Sequence, residues 1–232
     1  METLDNPLLW TNFILWISST ILALFVAMIC FNRSKRSEDI QKRTFNTWTY
    51  FFVLLAVSNL LILVWRFAIS DAFWVDILER TSNVLFYAAI FIKVNDIEKS
   101  VIQSGWYKRY YFSAISLIAI FVNAIVQPSI LKIISVYQVV FLVLVTVSYA
   151  VFPIIYFYVA IKSSDRIRRG ALQVCVGSIF LALGYLFRPE NLEAYRVISP
   201  ALNNLIDSLY IIAPVGIIFA IFLIYSSFKN IQ

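Results

Sequence analysis

The chain has 232 residues, of which 61% are hydrophobic, 17% are aromatic and only 14% are charged. This much apolar surface exceeds what one water-soluble core of that length can bury, so the composition excludes an ordinary soluble domain and predicts an all-α, polytopic membrane protein. The formal net charge of +6 does not indicate a nucleic-acid partner, because the basic residues fall in short clusters between apolar segments.

Seven apolar segments follow one another along the chain, and each is long enough to cross a bilayer core about 30 Å thick, which takes roughly 20 helical residues. They are residues 8–31, 47–70, 73–94, 110–126, 134–161, 170–187 and 198–228. The first follows an acidic start and is longer than the apolar region of a signal peptide, so we expect it to be retained. The sequence therefore predicts a single domain over residues 1–232, a seven-helix transmembrane bundle with no attached output module.

The basic residues predict the orientation of the bundle. Most of them lie in alternate loops: Arg33, Lys35, Arg36, Lys42, Arg43; Lys93, Lys99, Lys108, Arg109; Lys162, Arg166, Arg168, Arg169; and Lys229 after the last segment. By the positive-inside rule these loops are cytosolic, which places the N-terminus outside and the C-terminus in the cytosol, in the plasma membrane. Six tryptophan and tyrosine residues fit interfacial belts: Trp10, Trp65, Trp74 outside and Trp48, Trp106, Tyr107 inside.

Polar residues within the apolar segments indicate a ligand site. Glu79, Asn83 and Tyr87 recur with helical spacing on the third segment, and Asn203, Asp207, Tyr210 and Pro214 do so on the seventh. Because charges at membrane depth usually face the bundle interior or a wet cavity, we expect an outward-facing polar pocket. Its predicted ligand-binding residues are Arg66, Glu79, Arg80, Asn83, Tyr87, Arg188, Asn203, Asp207 and Tyr210.

Two other interpretations of the same residues stay open. Glu79 with Arg80 or Arg66, and Asp207 with Arg188 or an asparagine, could form ion pairs and hydrogen bonds that only hold the bundle together. The arginines could also extend to lipid headgroups. Gly177 and Gly184, seven residues apart on the sixth segment, predict close helix packing.

The sequence predicts no catalytic residue, cofactor or metal, and hence no enzyme. There is no histidine, which excludes histidine ligation of haem or zinc, and Cys30 and Cys175 form no pairing motif. The seventh segment has no lysine for a retinal Schiff base. It has Ala213, Pro214, Val215 and Gly216 where G-protein-coupled receptors have NPxxY. SWEET-type transporters share the size and topology, but their paired prolines are not matched.

These exclusions leave three functional classes. We expect a receptor-like or sensory protein that lies in the lipid bilayer, binds a small molecule and signals through a cytosolic or membrane partner. The alternatives are a small-solute transporter of three-plus-one-plus-three architecture and a non-catalytic membrane assembly subunit. The scarcity of glycine, with only five residues, and the missing paired helix interruptions favour the receptor-like class.

Overall fold

The computed structural model describes residues 7–100, 111–125, 150, 152–189, 192 and 209–230. All regular structure in these ranges is helical, which confirms the all-α part of the predicted fold class. The helices are α1 (Pro7–Ser34), α2 (Asp39–Leu63), α3 (Ala72–Ser100), α4 (Tyr111–Ile125), α5 (Phe152–Lys162), α6 (Asp165–Leu186) and α7 (Ile212–Asn230). A π-helical turn, Val64–Ala68, follows α2 directly.

Within the described residues, three helical stretches are long and apolar enough to cross a bilayer: Pro7–Ser34, Gln41–Ala68 and Asp165–Leu186. The side-chain exposure of the first stretch, α1, indicates that it is surrounded by lipid. Trp16 and Val26 of α1 are fully buried, while Ile14, Ile21 and Met28 are more than half exposed. A helix that is apolar on its buried and its exposed faces alike needs an apolar environment outside the protein as well.

Several helices extend further into charged sequence than predicted. α2 begins at Asp39 and not at residue 47, α3 continues to Ser100 and not to 94, and α6 begins at Asp165 and not at 170. The predicted limits were wrong because they were placed where charge interrupts hydropathy, whereas a helix can continue past the apolar zone. Lys93, assigned to a cytosolic loop, therefore lies on α3.

The last helix, α7, is shorter than predicted. α7 begins at Ile212, and a turn occupies residues 210–211, so the helix predicted from residue 198 does not run without interruption to 228. Pro214 lies in the first turn of α7, where its missing N–H costs no helical hydrogen bond. It is therefore not a mid-helix kink, and Tyr210 precedes the helix that the predicted polar stripe assumed.

The chain divides into two compact units, each built from separate segments. Unit 1 comprises Met1–Leu22, Leu63–Ser70 and Pro153–Gln232, and unit 2 comprises Ala23–Ile62 and Asp71–Phe152. The single domain predicted from the sequence stays a prediction.

In unit 1, glycines bring α6 and α7 into close contact. A Cβ built on Gly184 would lie 2.9 Å from Ile217 Cγ1 and 3.0 Å from the Ala213 carbonyl oxygen, and one built on Gly216 would lie 3.3 Å from Gly184 Cα. A Cβ on Gly177 would similarly lie 3.1 Å from the carbonyl oxygen of Ala220. The close packing predicted from Gly177 and Gly184 is confirmed. It increases the dispersion contacts between the helices, which matters because the hydrophobic effect does not drive helices together in lipid.

In unit 2, two serines join α2 to α3. The hydroxyl of Ser58 donates to the Ser82 carbonyl oxygen at 2.7 Å, and the hydroxyl of Ser82 donates to the Ser58 carbonyl oxygen at 2.9 Å. Both residues are fully buried. The small side chains allow the two backbones to approach, and the reciprocal bonds satisfy both hydroxyls without water.

The tryptophans divide between the surface and the interior. Trp10 and Trp74 are about half exposed, as an interfacial belt requires, whereas Trp48 and Trp65 are buried. Trp48 packs against Phe51, Phe52 and Phe152 with ring centroids 5.4–6.1 Å apart. The prediction that Trp48 and Trp65 face headgroups was therefore wrong, and Trp106 and Tyr107 lie outside the described residues.

Candidate functional site

Arg66 lies on the π-helical turn that ends α2. This turn has i to i+5 geometry, an arrangement that is rare and is found often at functional sites. Immediately after it, Ile69 takes an extended conformation. The side chain of Arg66 is half-buried, with its guanidinium carbon 3.9 Å from the centroid of the Tyr210 ring. This is a short cation–π contact, and it joins two residues that the sequence placed in the same predicted site.

A small hydrophobic cluster surrounds the Tyr210 ring. Leu192 and Tyr210 are buried together, and Phe187 and Leu209 pack against them. Together with Arg66, these four residues are called the Arg66 cluster below. The cluster belongs entirely to unit 1. Phe187 and Leu192 were not recognised from the sequence, where they have no signal beyond hydrophobicity.

Arg188 lies in the same short segment as Phe187 and Leu192. It is fully buried, and its backbone N–H donates to the Tyr185 carbonyl oxygen at 3.1 Å, which closes the C-terminal end of α6. Its guanidinium carbon is 5.8 Å from the Tyr185 ring centroid. Arg188 thus adds a second, fully buried arginine at this end of α6.

Several polar atoms in unit 1 are buried without a hydrogen-bond partner among the residues that the structure describes. They include Trp65 Nε1, Arg66 Nε, Trp16 Nε1 and Asn12 Oδ1. Phe13 contacts Phe67 with ring centroids 5.1 Å apart, so the first turns of α1 pack against the π-helical turn. Buried polar groups without partners are uncommon, because each costs about 1–3 kcal/mol when it is left unsatisfied.

The predicted site residues of α3 lie in unit 2. Asn83 and Tyr87 are buried, and Glu79, one turn earlier on the same face, is half-buried. Arg80 forms a two-point ion pair with Asp76, at 2.6 Å and 3.1 Å. The sequence left open a pairing of Arg80 with Glu79, but in the structure Arg80 pairs with Asp76. Asn203 and Asp207, the other predicted site residues, lie outside the described ranges.

Unit 2 contains an ionic cluster that was not predicted from the sequence. It is formed by Arg43, Thr47, Trp48, Lys93 and Asp96 and is called the Lys93 cluster; Trp48, Lys93 and Asp96 are buried, whereas Arg43 is exposed. Lys93 Nζ donates to Thr47 Oγ1 at 3.0 Å and to Asp96 Oδ2 at 3.2 Å, and it lies 4.3 Å from the Trp48 ring centroid. Thr47 Oγ1 in turn donates to Asp96 Oδ2 at 2.9 Å, and Arg43 Nε lies 3.2 Å from Asp96 Oδ1. Helical spacing in the sequence, Arg43 with Thr47 and Lys93 with Asp96, was the available signal.

A second buried carboxylate follows on α3. Glu98 is fully buried, and its Oε2 accepts hydrogen bonds from both the backbone N–H, at 3.1 Å, and the hydroxyl of Ser113. Ser113 is the third residue of α4, so Glu98 caps the positive end of that helix from a neighbouring helix. The Lys93 cluster and this cap tie together the ends of α2, α3 and α4 that the sequence predicts to be cytosolic.

Comparisons with protein families, curated proteins and solved structures gave no match for this chain.

Proposed function

We propose that this chain is a receptor-like membrane protein that binds a small ligand at the Arg66 cluster and signals through a cytosolic or membrane partner. The observation that supports this most directly is Arg66 itself. Its guanidinium is stacked 3.9 Å from the Tyr210 ring, and its buried Nε has no hydrogen-bond partner within the described residues. A structural arginine normally has an acceptor for such a donor, whereas a binding residue receives it from the ligand.

In this proposal seven helices cross the plasma membrane, with the N-terminus outside and the C-terminus in the cytosol. The three long apolar helical stretches support a membrane location, and the distribution of basic residues supports the orientation. Arg66 lies near the end of one of these stretches, Gln41–Ala68, which the orientation places at the outer surface. A ligand would therefore reach it from outside the cell.

The orientation can be tested by labelling two single cysteines, Arg36→Cys and Ser70→Cys, in a background with Cys30→Ala and Cys175→Ala. Both new positions are exposed, and they lie at opposite ends of the Gln41–Ala68 stretch. A membrane-impermeant maleimide added to intact cells is expected to label Ser70→Cys at once and Arg36→Cys only after permeabilisation. The reverse pattern would contradict the proposed orientation.

Ligand binding can be tested by thermal unfolding of the purified protein in a non-ionic detergent, against amino acids, organic acids, sugars and amines. A ligand present at 100 times its Kd stabilises the folded state by about 2.7 kcal/mol. We expect at least one compound to raise the Tm of the wild type in a saturable way, and the shift to vanish in Arg66→Ala. Arg36→Ala, which removes an exposed arginine elsewhere, is expected to keep the shift.

Reconstitution of the protein into liposomes then separates the functional classes. Binding without uptake of the stabilising compound supports the receptor-like function. Uptake that is lost in Arg66→Ala would replace it with transport, for which the same cluster would serve as the solute site. If no compound stabilises the wild type and one membrane protein copurifies with the chain, the assembly-subunit class would take its place.

A further inference from the structure

The buried polar atoms of unit 1 that have no hydrogen-bond partner among the described residues include both donors and acceptors, and their proportion bears on the chemistry of the ligand. Those of α1 and the π-helical turn are three N–H donors, Trp16 Nε1, Trp65 Nε1 and Arg66 Nε, and one acceptor, Asn12 Oδ1. Two of the donors belong to consecutive residues of the π-helical turn. The excess is therefore one of donors, and one of these donors belongs to a side chain that is always charged.

Within the part of the chain that the structure describes, no acidic side chain neutralises that charge. No carboxylate among the described residues lies within ion-pair distance of it, and its two aromatic neighbours, Tyr210 at 3.9 Å and Phe67 at 6.0 Å, approach with their rings. A ring face attracts a cation but accepts no strong hydrogen bond. The contact with the Tyr210 ring leaves the Nε–H of Arg66 without an acceptor among the described residues, and the N–H edge of a guanidinium is the part that binds oxyanions.

Resting on the proposed function, we infer that the ligand of the Arg66 cluster is a small oxyanion, a carboxylate or a phosphate, held by Arg66 and Trp65. Carboxylate and phosphate oxygens match the fork of the guanidinium and also accept an indole N–H. Trp65 is 92% buried, so its Nε1 cannot obtain that acceptor from bulk water. The same chemistry is offered by a soluble anion and by the phosphate of a lipid headgroup.

The test uses thermal unfolding of the full chain in a non-ionic detergent, which contains no phosphate. Sodium acetate, sodium glutamate and sodium phosphate are titrated at constant ionic strength against sodium chloride, and phosphatidylglycerol is added in a separate series. We expect a saturable rise in Tm with at least one soluble oxyanion but not with chloride. Trp65→Phe, which removes the donor and keeps a ring, is expected to weaken the apparent affinity about tenfold, the effect of one hydrogen bond to a charged group.

Variants of Arg66 provide the decisive comparison. Arg66→Gln is expected to abolish the saturable shift, and Arg66→Lys, which keeps the charge but not the fork, to weaken it. Arg36→Gln is the matched control, since Arg36 is an exposed arginine outside the predicted site, and it is expected to leave the shift unchanged.

The outcomes separate this inference from the proposed function. A shift that survives in Arg66→Gln, or that chloride reproduces, would overturn the oxyanion inference. A saturable shift given by a sugar or an amine and lost in Arg66→Gln, with no response to oxyanions, would also overturn it while leaving the receptor-like function in place. Stabilisation by phosphatidylglycerol alone, lost in Arg66→Gln, would support oxyanion recognition and contradict a soluble ligand.

Discussion

Replacing Lys93 by alanine is expected to lower the free energy of unfolding by about 3 kcal/mol, near the lower end of the range for removing one partner of a buried ion pair. The side chain is 1% exposed and donates to both Thr47 and Asp96. Its loss leaves Asp96 buried with Arg43 as its remaining charged partner, at 3.2 Å. Because Arg43 still neutralises part of the charge of Asp96, the expected loss of stability is at the lower end of that range. The measurement is reversible unfolding in mixed micelles with an increasing fraction of ionic detergent.

Two further variants show whether the ion pair causes the loss. Lys99→Ala removes an exposed lysine from the same helix and is expected to change stability by less than about 0.5 kcal/mol. The double variant Lys93→Met with Asp96→Asn fills the same volume without a buried charge and is expected to recover part of the loss. If Lys93→Ala and Lys99→Ala are equally stable, the Lys93 cluster does not hold α2 to α3.

Replacing Glu98 by alanine is expected to destabilise the protein by about 2–3 kcal/mol, because two hydrogen bonds to a charged acceptor are lost and the Ser113 N–H is left buried. The favourable interaction of the carboxylate with the N-terminal end of α4 is lost as well. Hydrogen exchange is the sharpest measurement, since the amide of Ser113 should lose protection before those in the middle of α4.

Graded substitutions separate the parts of this cap. Glu98→Gln keeps an acceptor but removes the charge, and Ser113→Ala removes only the hydroxyl bond. Each is expected to cost about 1 kcal/mol, less than Glu98→Ala. Equal exchange rates at the start of α4 in Glu98→Ala and in the wild type would contradict the capping role.

Sequence patterns predicted the features that depend on hydropathy and residue size. The helical class, the span near residues 8–31 and the packing of Gly177 and Gly184 follow from apolar length and from the absence of a side chain. Helix ends were less accurate, as the early start of α2 at Asp39 shows, since charge ends an apolar run without ending the helix.

The candidate site could be predicted only in part, because a polar stripe identifies a residue but not its partner. Arg66 and Tyr210 were both identified, yet their stacking depends on a turn before α7 that periodicity does not reveal. Lys93 was wrongly assigned to a loop because its partners, too, could not be identified from the sequence. Its charge suggested a loop, while the acceptors that make its burial tolerable, Thr47 and Asp96, are contributed partly by another helix.

The wide turn at Val64–Ala68 gives the position of Arg66 an unusual dependence on chain length. In an α-helix each residue rotates the next by about 100°, so the loss of one residue there would swing the guanidinium far from the Tyr210 ring. The direction of the Arg66 side chain thus depends on the number of residues in the turn as much as on their identity. Substitutions in the turn outside Trp65 and Arg66 should therefore be tolerated more readily than any insertion or deletion.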